Sequence, residues 1–173
     1  SKYRWIYSCS NQLLDRMIWA YGKQGGLTFT LIRPFNWIGP RLDSLETAKE
    51  GSSRVVTQFI AALVSNEPIT LVDGGMQSRS FTYIDDGIDA IMKIIENKDG
   101  KASGQIFNIG NPDNNCTIKD LADKLIALFK KQPCYSAGTF KPRVVVKKAQ
   151  NFYGESYQDI STRVPSIENA GKL

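Results

Sequence analysis

Apolar side chains recur at three- and four-residue steps through the opening of the chain, at Ile6, Leu13, Leu14, Met17, Ile18 and Tyr21. That spacing predicts a helix to about Tyr21 with one apolar face, ended by Gly25-Gly26. The run Leu27-Thr28-Phe29-Thr30-Leu31-Ile32 has the short, β-rich character of a buried parallel strand. Residues 42–51 are polar and read as loop. Ser52 or Ser53 is placed to cap a helix to about Val64, carried by Val56, Phe59, Ile60 and Leu63. A strand from Pro68 enters the turn at Gly74-Gly75, and Phe81-Thr82-Tyr83-Ile84 leads to a helix over 86–97 with Asp85 as its cap. A further strand over 104–111 ends in another glycine turn. Thr117 and Asp120 have capping-box spacing for a helix to about Lys130, striped by Ile118, Leu121, Leu125, Ile126 and Phe129. Arg143-Val144-Val145-Val146 is a short strand before Lys147-Lys148. A first helix that begins abruptly, followed by a strand, implies strands before it, so the chain reads as the second half of an α/β domain.

Composition narrows the chemistry. With 173 residues, 42% hydrophobic and 23% charged, the chain can bury one core. No apolar run approaches a membrane span and no leader pattern opens the chain, so no membrane partner and a cytoplasmic setting are expected. A net charge of +5 suits an anionic ligand such as a nucleotide diphosphate; with no dense Lys/Arg run, no nucleic-acid partner is expected. Cys9, Cys116 and Cys134 are odd in number and widely spaced, which argues against a disulfide framework. Histidine is absent, removing Ser-His-Asp and Cys-His catalysis and imidazole-ligated zinc, and no metal is expected. Proton transfer then falls to Tyr, Asp, Glu, Lys or Arg.

Three stretches carry candidate chemistry. Tyr7 and Asn11 lie four apart and so share one side of a helical turn. A free phenol has a pKa of about 10, and lowering it by roughly three units requires about 4 kcal/mol of preferential anion stabilisation. Asn11 donates a hydrogen bond but brings no charge, and by itself a Tyr on an amphipathic helix is ordinary packing. Arg33-Pro34-Phe35-Asn36-Trp37-Ile38-Gly39-Pro40-Arg41 follows a strand end, where open α/β sheets bind ligands. Taken alone it is a Pro/Gly turn with an Asn suited to its backbone. Arg79 is planar and permanently charged; by itself it reads as a solvated surface Arg, and its candidacy for a diphosphate is what the resemblance given below implies. Asp85-Asp86 read as a cap plus a favourable helix-dipole contact rather than paired acid catalysts.

Tyr7 with its i+4 partner resembles the Tyr-x-x-x-Lys signature of the short-chain dehydrogenase/reductase superfamily, with Asn11 at the Lys position. Tyr-Ser-x-Ser at 7–10 followed by Arg-Pro-Phe-Asn-x-x-Gly-Pro-Arg resembles its extended branch, the nucleotide-sugar epimerases, dehydratases and decarboxylases. The tail, Tyr153-Gly154-Glu155-Ser156-Tyr157-Gln158-Asp159-Ile160 and Arg163-Val164-Pro165-Ser166-Ile167, narrows the resemblance. Over essentially all 173 residues the chain is similar to the UDP-glucuronic acid decarboxylase domain of the bifunctional polymyxin-resistance enzymes.

That resemblance implies the C-terminal half of an extended short-chain dehydrogenase, a partial Rossmann-like sheet around 1–41 and 81–112 with a small substrate-binding lobe around 42–80 and 113–173. It implies Tyr7 as catalytic acid/base, Asn11 in place of the usual Lys, and Arg163 as proton donor. UDP-glucuronate would meet Arg4, Asn36, Tyr157 and the span Thr70-Leu71-Val72-Asp73-Gly74-Gly75-Met76-Gln77-Ser78-Arg79, with Tyr7 and Pro34 near NAD. The family's Gly-x-x-Gly-x-x-Gly turn for the NAD pyrophosphate does not occur in the sequence. A fragment inactive by itself, from a homo-oligomeric parent in lipid A aminoarabinose modification, is the corresponding expectation. A UDP-sugar 4-epimerase or dehydratase, and a non-catalytic UDP-sugar-binding module, stay open beside it.

Overall fold

The computed structural model describes residues 5–133, 135, 141–154 and 159–173. In chain order the first elements are α1 (Trp5–Gly25), β1 (Leu31–Pro34), β2 (Trp37–Ile38), α2 (Leu45–Lys49), α3 (Val55–Val64), β3 (Ile69–Val72), β4 (Ser78–Ser80) and β5 (Thr82–Tyr83). There follow α4 (Ile84–Glu96), β6 (Ile106–Ile109), β7 (Asn115–Thr117), α5 (Ile118–Phe129), β8 (Val144–Lys147), α6 (Ala149–Tyr153) and β9 (Thr162–Arg163). No described helix is long and apolar enough to cross a membrane.

The chain divides into two compact units: Ser1–Trp37, Ser80–Asn115 and Val164–Leu173 form the first, Ile38–Arg79 and Cys116–Arg163 the second. In the first, β1 and β6 pair in parallel, Leu31 opposite Ile106 through Pro34 opposite Ile109. Ala102, Phe107 and Ile109 form its buried centre, with Trp37, Ala90, Ile91, Ile94, Ala170 and Leu173 packed against it. α4 can lie close only because Gly87 lacks a side chain; a Cβ there would stand 2.8 Å from the Trp37 ring. The tail 164–173 belongs to this unit, not to the lobe assigned from sequence. Long-range bonds explain the correction: Asn108 Nδ2 donates to Ser166 O at 3.0 Å and Asn169 Nδ2 to Ile106 O at 2.9 Å.

In the second unit β3 and β8 pair in parallel, Ile69 opposite Val144 through Val72 opposite Lys147. α3 and α5 pack on β3, and Phe59, Leu63, Ile69, Leu71, Ile118 and Ala122 are buried. The three-stranded sheet has the order β7-β4-β9, and β4 runs parallel to β9 with Ser78 opposite Thr162 and Arg79 opposite Arg163. Gly75, at φ 70°, permits close approach of α5, because a Cβ would come within 2.9 Å of the Lys119 amide nitrogen.

Several local expectations change. The first strand lies at Leu31–Pro34, later than the apolar run from Leu27, because its ladder is set by β6. The polar stretch 42–51 contains α2, started by Ser44, whose side chain accepts from the Thr47 amide. α3 is capped by neither Ser52 nor Ser53. Asp43 reaches across the loop instead, accepting from the Arg54 amide at 3.0 Å and from Thr57 Oγ1 at 3.1 Å. Asp85 lies inside the first turn of α4, whose N-cap Tyr83 makes no side-chain cap bond, so Asp85 and Asp86 act on the helix dipole alone. The capping box of Thr117 and Asp120 is formed, with both reciprocal bonds.

Candidate functional site

In the first unit α1 carries Tyr7, a residue 76% exposed, and Asn11 one turn further on. The phenol is therefore open to a ligand rather than turned into packed interior. Another turn along, Asp15 is ion-paired with Arg33 at 2.7 Å. Asp15 lies eight helical steps from Tyr7, about 12 Å along the axis. The guanidinium of Arg33 is thus engaged two turns from the phenol and does not replace the missing Lys.

The loop after β1 is held by a short hydrogen-bond set. Asn36 adopts φ 41°, and its Nδ2 donates to Ser80 O at 2.7 Å while its carbonyl accepts from the Thr82 amide at 3.2 Å. Buried Thr82 donates through Oγ1 to Phe35 O at 3.0 Å, and the same oxygen accepts from the Asn111 amide at 3.0 Å. Asn36 therefore does structural work through its backbone and amide nitrogen. Its amide oxygen keeps acceptor capacity for a ligand. Pro34 closes β1 opposite Ile109 and is exposed.

In the second unit the predicted span separates into core and surface. Leu71, Val72 and Gly75 are buried, Thr70, Gly74, Gln77, Ser78 and Arg79 partly so, while Asp73 and Met76 are exposed. Val72, Asp73, Met76 and Gln77 line a cavity of about 280 Å³ together with Ala149, Asp159 and Ser161. Small-molecule pockets run from roughly 300 to 1,000 Å³, so this one admits part of a nucleotide sugar rather than the whole. Asp73 Oδ1 accepts from the Ala149 amide at 2.9 Å, fixing one wall.

Arg79 is only 16% exposed in its side chain and forms an ion pair with Asp159 at 2.8 Å. Its Nη1 donates to Ser78 O and Ile160 O, both at 2.7 Å. It is thus a positioned guanidinium, not a solvated one. Arg163 stands beside it in the register of β4 on β9. Sequence reasoning did not single out Asp159. The residue lies 80 positions from its partner, and no local spacing signals such a pair. Arg4 and Tyr157 lie outside the described residues.

Shifted ionisations mark scaffold rather than chemistry. Asp43 is held below the ordinary carboxylate range, first by the hydrogen bond from the Arg54 backbone and then by Thr57 and the Arg54 charge, against opposing desolvation. Asp120 is lowered chiefly by its bonds to the Thr117 side chain and backbone. Burial pushes the Cys116 thiol up, favouring its neutral form.

A dinucleotide needs a cradle for its pyrophosphate, commonly an open helix start with free amides. α3 begins under the Asp43 carboxylate, α4 carries Asp85 and Asp86 in its first turn, and α5 is closed by its capping box. These three starts do not fit a pyrophosphate.

This α/β arrangement with its Tyr-bearing helix defines a class. A profile of the NAD dependent epimerase/dehydratase family matches residues 2–110, and the chain belongs to that family. Among solved structures, it is 55% identical to the PbgP3 protein from Burkholderia pseudomallei, covering 98% of this chain and 46% of that one, with a TM-score of 0.78. Likeness in fold extends to the UDP-glucuronic acid 4-epimerase from Bacillus cereus in complex with UDP-glucuronic acid and NAD. There identity is 21%, coverage 92% and 43%, and the TM-score 0.69. For the Thermus thermophilus UDP-glucose 4-epimerase complexed with NAD, identity is 19%, coverage 96% and 47%, and the TM-score 0.72. The chain spans less than half the length of each of these relatives.

Proposed function

We propose that this chain supplies the proton-transfer and substrate-recognition residues of an NAD-dependent enzyme that oxidises and decarboxylates UDP-glucuronic acid to a UDP-4-keto-pentose, serving aminoarabinose modification of lipid A and so polymyxin resistance, in the cytoplasm. The observation that supports it most is the register of Arg79 beside Arg163. Two adjacent guanidinium groups suit a ligand carrying both phosphates and a carboxylate, whereas an epimerase of neutral sugars has no evident use for the second.

In this reading Tyr7 accepts the proton of the C4 hydroxyl as hydride leaves C4. Accepting that hydride is the chemistry that NAD supplies when bound. The C4 ketone is β to the C5 carboxylate, so the bond from C5 to the carboxylate breaks, carbon dioxide leaves, and its electron pair becomes an enolate. Arg163 stabilises that developing charge, and a proton returns to C5. A guanidinium holds its proton too firmly to be an effective acid, so an electrostatic role is better matched to its chemistry than direct proton donation. In this reading turnover belongs to a longer polypeptide that supplies the pyrophosphate cradle, and the 173 residues by themselves are expected to be inactive.

A second reading, a UDP-sugar-binding module without turnover, is favoured by Asn11 and by the engagement of Arg33 with Asp15. Incubating the full-length protein with UDP-glucuronic acid and NAD decides between them. Carbon dioxide and NADH together are expected. Binding without either product supports the module, and conversion to UDP-galacturonic acid supports an epimerase.

A further inference from the structure

In the second unit β8 stands at the edge of its sheet. The Ile69 amide donates to Arg143 O at 2.9 Å, which fixes the groups of this segment that face β3. Along a strand in a parallel ladder, successive residues turn their N–H and C=O groups alternately to either side. Arg143, Val145 and Lys147 therefore serve β3, and the N–H and C=O groups of Val144 and Val146 point away from it. Among the described residues no hydrogen bond reaches those outward groups, and the sheet has no third strand.

The side chains are as open as the backbone. Val144 and Val146 share a face with their register partners Ile69 and Leu71, which are buried where α3 and α5 pack on β3. On that same face Val144 is 44% exposed and Val146 65%. Helical cover therefore ends at β3 and leaves an apolar shelf one strand wide. Lys141, Arg143, Lys147 and Lys148 are exposed on either side of the three valines. Arg143 Nη2 donates to Asn66 O at 3.3 Å, and Lys147 Nζ stands 5.8 Å from the centre of the Phe152 ring. Among the described residues none of the four cations has a carboxylate partner.

We infer that β8 is a docking edge for an acidic, extended segment of a partner protein, which adds a strand through Val144 and Val146 and covers the valine shelf. Main-chain bonds give strand addition its affinity, and alternate side chains give it selectivity. The charges decide which strand is admitted. A second copy laid antiparallel along β8 sets Arg143 against Lys147, and a parallel copy sets each cation against its own counterpart; like charges across a pair are destabilising. A segment with Asp or Glu at those positions gains at each of them, with apolar residues two apart lying beside Val144 and Val146. The inference goes beyond the proposed reaction and does not depend on it.

Fluorescence anisotropy of the full-length protein with a labelled heptapeptide, Glu-Glu-Val-Thr-Val-Glu-Glu, tests this. Binding is expected, and it should weaken as salt is raised. Replacing every Glu of the peptide by Lys, or methylating its two valine nitrogens, is expected to abolish it. Val146→Pro removes an outward N–H while sparing the ladder to β3, and edge strands accept proline at such positions; it is expected to weaken binding about fivefold. Lys147→Glu combined with Lys148→Glu is expected to weaken it about tenfold. Amide hydrogen exchange needs no substitution: the peptide should slow Val144 and Val146 and leave Val145 and Lys147, already bonded to β3, unchanged. If Val146→Pro misfolds, that alternation decides in its place. Equal binding of the methylated peptide reduces the edge to a charged patch and overturns the inference. So do an absence of binding, an affinity untouched by Val146→Pro or by the charge reversal, and equal slowing of all four amides. Self-association of the protein that Val146→Pro abolishes assigns the edge to a second copy and overturns it too.

Discussion

α1 and α5 carry nearly the same apolar spacing and meet opposite fates. α5 buries Ile118, Leu121 and Ala122 against its unit. α1 buries nothing: Ile6, Leu13, Leu14, Met17 and Tyr21, the apolar face its spacing predicts, are all exposed. α1 is held instead by another side, the partly covered Asp15, Ile18, Trp19 and Gly22. Trp19 meets Phe29 edge-on at 5.1 Å between centroids, and Gly22 accommodates the same ring. A helical period thus identifies an apolar stripe but not the surface that covers it. In this chain the scaffold helix spends its apolar face on the core, while the helix bearing the candidate catalytic residue leaves its own face open.

The largest expected effect lies on the open helix. In the full-length protein Tyr7→Phe is expected to reduce the proposed turnover of UDP-glucuronic acid by roughly 100- to 10,000-fold, the range for a lost acid/base group, with UDP affinity within twofold. Preserved turnover in a stopped assay for NADH would remove Tyr7 from the chemistry and leave α1 as scaffold. Next is stability. Leu121→Ala on α5 is expected to cost about 2–4 kcal/mol, and Leu13→Ala on α1 no more than about 0.5 kcal/mol, measured by denaturant unfolding of this chain. An equal cost at Leu13 would mean that its face is covered after all.

Asn11→Lys restores the family's cation one turn from Tyr7. A charge at that range contributes between about 1 and 4 kcal/mol depending on the surrounding dielectric, so an increase in rate of about tenfold at pH 7 is expected. The increase should be smaller at pH 9, where a phenol needs less help to ionise. A pH–rate profile that does not move would separate Asn11 from the phenol.

Smaller again is the cap at α3. Asp43→Asn is expected to destabilise the chain by about 1 kcal/mol at neutral pH, the usual scale for a lost N-terminal acceptor. Because the Asp43 carboxyl is held low in the folded chain, its contribution is complete above the ordinary carboxylate value and disappears as pH falls through the folded value. Melting curves of the two proteins should therefore converge in acid. Curves that stay parallel would mean that the amide caps as well as the carboxylate.

Local chemistry was legible in proportion to how local its partners are. The Thr117–Asp120 box needs only residues three apart, and it formed where its spacing indicated. The alternation of apolar runs was enough for an α/β class, and the Tyr7 and Asn36 motifs for a kinship with nucleotide-sugar enzymes. Contacts across long stretches of chain were not legible. The cap from Asp43 replaced the nearer Ser52 and Ser53 because an ionised carboxylate can serve the Arg54 amide and the Thr57 hydroxyl together.

From its amino acids alone this protein's elements, its family likeness and its candidate phenol could be read, since each depends on spacing along one segment. Three matters were left to tertiary structure: which face of α1 is covered, that 164–173 joins the first unit, and that Asp159 sits against Arg79 with Arg163 alongside. Each depends on strand register and packing between residues far apart in sequence, and a one-residue change of register would send those same side chains to the opposite face.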